Sequence, residues 1–364
     1  CKYYYQQNSK EGLMSTSLAP QVLPEKPWRP TFKRVLPDLF GALLTAVSTV
    51  LIVAVTPLKG KLGFSLTLIV MALVFSVLIS GIRKDKKAAF NSVSTVFVYI
   101  AATFVLIPLF SILYEIYSRG VGALTWGIFT KDMSLSSADA PVSEGGLLHA
   151  IIGTLYLVAI ATIISAPVGL LTALYIVEVK GRAAGLVRFF VQAMSGVPSI
   201  VAGLFIYAVW MIGLGNSYNA GAGAAALAIL MIPTVARTSE EVLRLIPPDL
   251  REAGLALGAT QWRTVAMIIL PAARSGLITA IILGIARVAG ETAPLLLTIG
   301  GADAINLNPF SGNSSALPYY VWKNLSLGNP ESIERAWAGV MVLMLLVFIF
   351  FTLARYFSGK RAGR

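Results

Sequence analysis

The sequence predicts an all-α integral membrane protein, and three features of its composition support this class. Of its 364 residues, 56% are hydrophobic and 13% are charged, whereas charged residues make up about 25% of an ordinary soluble domain. The mean hydropathy is +0.77. Several apolar runs reach the ~20 residues that a helix needs to cross the hydrocarbon core of a bilayer. Because lipid offers the backbone no hydrogen-bond partner, helices are the expected spanning elements.

Eight apolar segments follow one another along the chain and predict eight transmembrane helices. Several are longer than a perpendicular span requires, which indicates tilt, protrusion or a break. Pro108, Pro167 and Pro198 lie in the third, fourth and fifth segments, where each is expected to kink the helix. The segments are residues 38–57, 62–82, 92–117, 147–177, 187–213, 221–236, 272–299 and 336–357.

The distribution of Lys and Arg predicts that both termini lie in the cytoplasm. With that orientation, 22 of the 29 Lys and Arg residues fall in cytoplasmic tails and loops, as the positive-inside rule requires. The same preference explains the formal net charge of +12 without a nucleic-acid ligand. The sequence motifs that are typical of nucleic-acid-binding modules are also missing, so binding to nucleic acid is not expected.

The two ends of the chain differ from its apolar middle. Residues 1–35 contain four prolines and scattered charges, which predicts a disordered cytoplasmic tail, and residues 358–364 predict a second, short tail. Cys1 is the single cysteine, so no disulfide is expected within the chain. It fits a lipidated mature terminus, whereas Met14, followed by Ser-Thr-Ser, fits a native start behind an upstream extension. Both interpretations stay open.

A polar insert at residues 252–271 interrupts the apolar pattern and reads EAGLALGATQWRTVAMIILP. Gly258 is expected to end a short helix, because glycine adopts the positive φ of a helix C-terminus without a Cβ penalty. Pro271 is expected in the first turn of the next helix, where its missing N–H is not needed. An amphipathic linker between two membrane helices is the simpler explanation of the same stretch.

The spacing within this insert resembles the cytoplasmic coupling loop of ABC-importer permeases. The resemblance implies two short helices that join at Gly258 and dock into a cleft on a separate ATPase. No Gly-x-x-x-x-Gly-Lys-Ser/Thr sequence occurs in the chain, although ATPases of this kind use one to hold phosphates. ATP and magnesium are therefore expected on the partner ATPase, with no cofactor in this chain and no enzymatic activity of its own. The matching positions are Glu252, Ala253, Gly254, Gly258, Ile269, Leu270 and Pro271.

Other stretches resemble the second permease subunit of the high-affinity phosphate importer. The resemblance implies a six-helix permease core over residues 91–357, with the coupling loop at 237–271. The two helices and the basic loop of residues 36–90 are then additional to that core. The implied function is import of inorganic phosphate across a bacterial plasma membrane. The stretches that carry the resemblance are Gly145–Thr154, Ser195–Gly203, Pro233–Glu241 and Arg287–Leu297.

The resemblance also implies partners: a second permease subunit in a heterodimer, a dimer of the ATPase, and an extracytoplasmic phosphate-binding protein. Two segments on the outer face, roughly 118–146 and 300–335, carry aromatic residues. These fit either docking of that receptor or anchoring at the membrane interface. A permease for another oxyanion, such as molybdate or sulfate, is an alternative function. A secondary anion transporter and an inert membrane scaffold are further alternatives.

Arg287 is the first candidate for contact with a transported anion. It lies inside the seventh apolar segment, and an arginine near the bilayer centre costs at least ~2.5 kcal/mol on insertion scales. Its forked N–H donors fit phosphate oxygens. Glu291, four residues on, is expected on the same helical face. The two side chains therefore form either a structural ion pair or an anion contact that Glu291 holds in position.

Arg237 is the second candidate, at the cytoplasmic end of the sixth segment. If the helix continues, Arg237 and Glu241 form an i,i+4 pair with Glu240 beside them, although basic residues are ordinary at such helix ends. The resemblance implies functional arginines at Arg237 and Arg287, and thus a path from mid-membrane to the inner mouth. His149, the single histidine, is expected to be an interfacial polar residue, and no metal site is predicted.

Overall fold

The computed structural model describes residues 32–56, 60–83, 86–137 and 139–359. Residues 1–31 of the tail predicted for residues 1–35, the middle of the basic loop and residues 360–364 lie outside these ranges. The described backbone is mostly helical. Within those ranges, β-pairing is confined to one isolated bridge between Gly300 and Ser314. The all-α prediction is confirmed.

The chain divides into two compact units, Cys1–Phe110 and Ser111–Arg364. The first unit holds two helices that pack against each other and most of a third. The first of these helices begins four residues inside the tail predicted for residues 1–35. The three helices are α1 (Phe32–Val55), α2 (Lys61–Arg83) and α3 (Lys86–Gly120), whose last turns belong to the second unit.

Close approach of α1 and α2 depends on small residues. A Cβ on Gly41 would lie 2.6 Å from Cδ1 of Ile79, so any larger side chain there would require the Ile79 side chain to move. Thr49 and Thr67 are buried between apolar neighbours, and each hydroxyl donates to the carbonyl four residues earlier, of Thr45 and Gly63. The outward side chains are large and apolar. This pattern suits helices that face lipid, where polar groups must be satisfied internally.

The second unit is built around four long helices, α5, α8, α11 and α14, which shorter helices join. Three helical runs contain π-turns, at Tyr175–Val179, Tyr207–Gly213 and Val265–Ile269. A 3₁₀ turn, Val121–Ala123, follows α3. The helices are α4 (Trp126–Thr130), α5 (Leu148–Leu174), α6 (Ala184–Ser195), α7 (Ser199–Ile206), α8 (Ala220–Arg244), α9 (Pro248–Ala256), α10 (Gln261–Thr264), α11 (Leu270–Ala289), α12 (Ala293–Leu296), α13 (Leu317–Leu327) and α14 (Pro330–Gly359).

The core of this unit is formed where α8 packs between α5 and α11. Small residues bring the backbones together: a Cβ on Gly169 of α5 would lie 2.8 Å from the Val235 side chain, and one on Gly284 of α11 would lie 2.9 Å from it. Leu157, Leu227 and Met231 fill the space that remains and are nearly inaccessible to solvent. Helices in lipid associate mainly through such close packing, so α8 is the central element that positions the site.

Each of the eight predicted apolar segments contains a helix, but the fifth and the seventh are not single straight helices, because α11 ends at Ala289 within the seventh. α6 and the α7 run meet at an angle of 101° at the short break that contains Pro198, which has no N–H and disfavours a helical residue before it. Five helices in the described residues are long and apolar enough to cross a membrane, and the bent pair makes up to six. The apolar parts of α1 and α2 are shorter, so the count of eight spans stays a prediction.

Candidate coupling loop and anion path

The central helix α8 reaches further than the sequence predicted. It begins at Asn219, whose side-chain oxygen accepts from the N–H of Ala222 at 2.8 Å, a regular N-cap. It ends at Arg244, shortly before two consecutive prolines, because a residue before proline avoids the helical region. Residues 237–244, predicted as the start of the coupling loop, therefore belong to the helix. The non-helical connection begins after them.

The coupling loop contains two short helices with Gly258 between them, as predicted. α9 starts at Pro248 and ends at Ala256, and Gly258 has φ +82°. A Cβ at that position would meet no neighbouring atom, so glycine is required by the backbone conformation and not by crowding. The Thr260 hydroxyl then caps α10 by accepting from the N–H of Arg263. The chain reverses direction at Gly258 within a few residues.

Gly254 has a different role from Gly258, because it allows the two arms of the loop to touch. It is buried on α9, and a Cβ there would lie 2.8 Å from Cγ2 of Thr264 and 2.9 Å from Cδ1 of Ile268. Alanine at this position would therefore force the arms apart. Gly254 therefore allows the contact between the two arms of the loop, and Gly258 provides the turn between them.

Arg251 fastens the loop to the rest of the unit. Its guanidinium binds both carboxylate oxygens of Glu178, at the end of the α5 run, at 2.8 to 3.1 Å. The same group donates to the carbonyls of Leu243 and Ile246 at 2.9 and 2.7 Å. Gln261 donates to the backbone carbonyl of Glu178 at 2.6 Å. Charge-assisted, bidentate contacts of this kind are the stronger hydrogen bonds in proteins, so α9 is held to both α5 and α8.

The opposite side of the loop is exposed and mixes apolar with acidic residues. Glu252 and Ala253 point outward, Leu257 is 89% exposed and Trp262 is 69% exposed. Tryptophan is enriched at the centre of protein interfaces. The loop therefore presents a ready contact surface on its free side.

The prediction that Pro271 opens a new helix is wrong in one respect. The helical run begins ten residues earlier at Gln261 and continues through the π-turn Val265–Ile269 into α11. A proline inside a helix loses one hydrogen bond and clashes with the preceding turn, and a wider π-turn directly before it relieves both effects. Ile269 is fully buried and Leu270 half-buried, so these two residues pack inward while the loop projects outward.

Arg287 lies in the last turn of α11, and not in the middle of a continuous helix. α11 ends at Ala289 with Gly290 as its C-cap, so Glu291 leaves the helical face and the expected i,i+4 arrangement does not form. Among the described residues no ion pair joins the two side chains. Nη1 of Arg287 instead donates to the Thr234 hydroxyl of α8 at 3.3 Å, and the arginine is exposed. Its charge remains uncompensated by any described carboxylate.

The predicted pair of Arg237 and Glu241 is present, with Nε and Oε1 3.6 Å apart and both side chains exposed. Thr234, which holds Arg287, lies one turn before Arg237 on α8. Residues three and four apart share a helical face, so Thr234, Arg237 and Glu241 form a polar line down α8. The structure thus places the two predicted arginines beside one line of polar groups.

Glu240 does not lie on that exposed line, in contrast to the prediction. It is buried, 8% exposed, and its Oε1 accepts from Nε of Arg188 at 3.0 Å and from Nη2 of Arg244 at 2.6 Å. Helical periodicity turns position 240 away from positions 237 and 241, toward α6. Glu240 is therefore the counter-ion of two arginines that the sequence analysis did not single out.

The outer segments are held mainly by backbone contacts. Arg335 is 2% exposed, and its guanidinium donates to the carbonyls of Ser137, Pro141 and Glu144. The Asp132 carboxylate accepts from the hydroxyl and N–H of Ser134 and from the N–H of Ile305, and the Ser134 hydroxyl above all holds the pKa of Asp132 below its usual value. These contacts join the two predicted outer segments, 118–146 and 300–335, into one structure.

The aromatic residues of the outer segments divide between core and surface. Tyr320 is buried, whereas Trp126 and Trp322 are exposed. His149 lies at the start of α5 and is buried edge-to-face against Tyr320, and its position at the membrane interface stays a prediction. Within the described residues, no group of three or more potential metal ligands is present.

Comparison with known proteins shows which proteins this chain resembles. Residues 165–362 match the family model described as "Binding-protein-dependent transport system inner membrane component". The phosphate transport system permease protein PstA 1 of Mycobacterium tuberculosis is 41% identical over 261 residues, which cover 71% of this chain and 84% of the relative. The phosphate transport system permease protein PstA of Pasteurella multocida is 36% identical, over 72% of this chain and 92% of the relative.

One solved structure also shares the fold. It is a bacterial ABC transporter involved in the import of the acidic polysaccharide alginate, with a TM-score of 0.50 and 15% sequence identity. The match covers 74% of this chain and all of that chain. At this level of identity the likeness concerns the fold alone.

Proposed function

Because this chain belongs to the family of binding-protein-dependent transport system inner membrane components, we propose that it is a permease subunit that imports inorganic phosphate. The observation that carries the phosphate assignment is the 41% identity to a phosphate transport permease over 84% of that protein. The multi-pass helical fold is consistent with a protein of the bacterial inner membrane, and the basic loops favour cytoplasmic termini.

The energy for transport comes from a partner in this proposal. The exposed side of the coupling loop, with Leu257 and Trp262, is the docking surface for an ATPase that binds ATP and magnesium. Because Arg251 and Gln261 tie the loop to the end of α5, displacement of the loop moves that helix with it. The backbone conformation of Gly258 sets the angle between α9 and α10, and the two arms of the loop keep this angle when the ATPase displaces them.

The anion path follows the polar line on α8. Arg287 offers an exposed guanidinium at the end of α11, and Arg237 lies one turn of α8 further toward the cytoplasm than Thr234. Both arginines face away from the packed core, where a second permease subunit would complete the path in a heterodimer. Exposure keeps each contact weak, and weak contacts allow release in a conducting path. An extracytoplasmic phosphate-binding protein would deliver the anion to the outer segments.

The test is transport by the reconstituted complex in proteoliposomes, with ATP on the side of the coupling loop and the phosphate-binding protein on the other. ATP-dependent uptake of radiolabelled phosphate is expected, and excess unlabelled sulfate or molybdate should leave it unchanged. Competition by either oxyanion would reassign the solute. Uptake without the ATPase, driven by an ion gradient alone, would indicate a secondary transporter instead.

A further inference from the structure

Arg188 of α6 and Arg244 of α8 converge on one carboxylate at the cytoplasmic side of the second unit. Both donate to the same oxygen of Glu240, from Nε at 3.0 Å and from Nη2 at 2.6 Å. The side chain of Glu240 is 11% exposed, whereas those of Arg188 and Arg244 are 38% and 55% exposed. We call these three residues the basic cluster. Its two positive charges share a single negative one.

The basic cluster keeps most of its hydrogen-bond donors unused. A guanidinium carries five N–H donors, and Glu240 takes one from each arginine. In the part of the chain that the structure describes, neither Arg188 nor Arg244 has a second acceptor. The carboxylate therefore holds both guanidinium groups in place, and their other donors have no acceptor among the described residues.

Two cavities open on either side of the cluster, and both are lined by Arg188 and Arg244. The larger, of about 550 Å³, also contains Lys180 and Arg251. The smaller, of about 310 Å³, contains Gln192 and the Arg237–Glu241 pair. Of the carboxylates at these walls, Glu240 and Glu241 are already paired with arginine. The balance of charge around the cluster is positive, which concentrates anions.

We propose that Arg188 and Arg244 form a binding site for a phosphoryl oxyanion at the cytoplasmic mouth of the protein. The planar guanidinium donors match the oxygens of a phosphoryl group, and Glu240 holds them ready without a cost of ordering when the anion arrives. The cytoplasmic location rests on the proposed function. The same chemistry is offered by two sources, phosphate released from the path and the headgroup of an anionic phospholipid.

The experiment uses the purified membrane complex of permease and ATPase subunits, without nucleotide and without the external binding protein, in phosphatidylcholine nanodiscs. Equilibrium dialysis measures binding of radiolabelled inorganic phosphate. Arg188→Gln and Arg244→Gln should each weaken binding about tenfold, the equivalent of one charge-assisted hydrogen bond. Arg182→Gln removes an exposed charge that lines neither cavity and should change nothing.

Glu240→Gln separates binding from folding. It removes the competing negative charge, while the amide oxygen still accepts from both arginines and holds them in place, so phosphate should bind more tightly; a purely structural cluster would leave phosphate binding unchanged. Arg188→Gln leaves a buried carboxylate with one partner fewer, and the double variant with Glu240→Gln restores a neutral, foldable pair for comparison. Weaker binding in Glu240→Gln, in parallel with the arginine variants, would overturn the proposal.

The two sources are distinguished by repeating the dialysis in nanodiscs that contain phosphatidylglycerol and by extracting the retained lipid. A phospholipid site predicts less phosphate bound to the wild type and less phosphatidylglycerol retained by Arg188→Gln. A site for free phosphate predicts no effect of that lipid. Phosphate binding and lipid retention that are both insensitive to Arg188 and Arg244 would overturn the proposal even if the wild type imports phosphate. Retention that depends on Arg188 would support it even if uptake fails.

Discussion

The coupling loop and the end of α11 each contain an arginine, but they satisfy it to different degrees. Arg251 binds both oxygens of Glu178 and two backbone carbonyls, whereas Arg287 donates a single 3.3 Å hydrogen bond to Thr234. A guanidinium whose donors are mostly occupied resists displacement, so Arg251 is suited to transmit force between helices. A guanidinium with free donors is suited to receive an anion. The same residue type therefore indicates opposite functions in the two regions.

Reversal of the charge at Arg251 should produce the largest effect. Arg251→Glu places a carboxylate against Glu178, whose side chain is 7% exposed, and breaking a buried ion pair in this way typically costs about 3–5 kcal/mol. Thermal unfolding of the purified complex should move to a lower temperature, and less phosphate should enter for each ATP hydrolysed.

The control for this prediction is the double variant Arg251→Glu with Glu178→Arg. It restores the ion pair but not the bonds to the carbonyls of Leu243 and Ile246, so part of the stability and of the coupling ratio should return. Arg182→Glu changes an exposed charge outside the loop and should leave both readouts unchanged. If the double variant is no better than the single one, the ion pair does not transmit the motion.

Sequence reasoning predicted the parts of this comparison that depend on local spacing. The apolar segments predicted the helices, because lipid requires long apolar helices. The turn at Gly258 was predicted because glycine readily adopts a positive φ. The contact of Arg251 with Glu178 spans 73 residues, and no local pattern encodes it. The nearest local signal is the position of Arg251 directly before Glu252 in the coupling motif.

The errors have a common physical cause, which is that helix ends and faces depend on tertiary packing. Gly290 ends α11 one residue before Glu291, and the π-turn before Pro271 keeps a helix continuous where a start was expected. Glu240 turned out to be buried because α6 packs against its face of α8. Each of these outcomes depends on a neighbouring element that is far away in the sequence.

Substitution of Arg287 tests the second region of this comparison, the end of α11. Arg287→Gln should lower phosphate uptake about ten- to a hundredfold, because hydrogen bonds to charged groups are worth about 1.5–3 kcal/mol. The thermal stability of the complex should remain as in the wild type, since one weak bond to Thr234 is lost. Uptake and unfolding are measured on the same preparation.

Thr234→Val tests whether Arg287 acts through its charge alone or also needs the hydrogen bond to α8 that orients it. It removes the hydroxyl that orients the guanidinium but keeps the charge, so uptake should fall less than in Arg287→Gln. A loss of stability in Arg287→Gln as large as in Arg251→Glu would contradict the distinction between the two arginines.

Gly258→Val should have a smaller effect that is confined to the coupling loop. The residue has φ +82° and open space around it, so the cost is backbone strain of about 1–2 kcal/mol. ATPase activity of the complex should become less responsive to the phosphate-loaded binding protein. Gly258→Asn is the matched control, because asparagine tolerates this conformation, and it should behave nearly as the wild type. Equal responses of the two variants would show that the joint does not depend on its backbone angle.

The smallest expected effect lies on the outer face, away from both arginines. The pKa of Asp132 is lowered, chiefly by the Ser134 hydroxyl, so the folded state favours its charged form. The stabilisation is present above the ordinary carboxyl pKa near 3.8 and is lost as the pH falls through the lower folded-state value. Below that pH, the unfolding temperature of the wild type should therefore fall more steeply than that of Asp132→Asn, in which residue 132 cannot titrate. Because Asp132 belongs to the outer segments, the coupling ratio at neutral pH should be identical in the two proteins, and a change in it would mean that the outer segments act on the coupling loop.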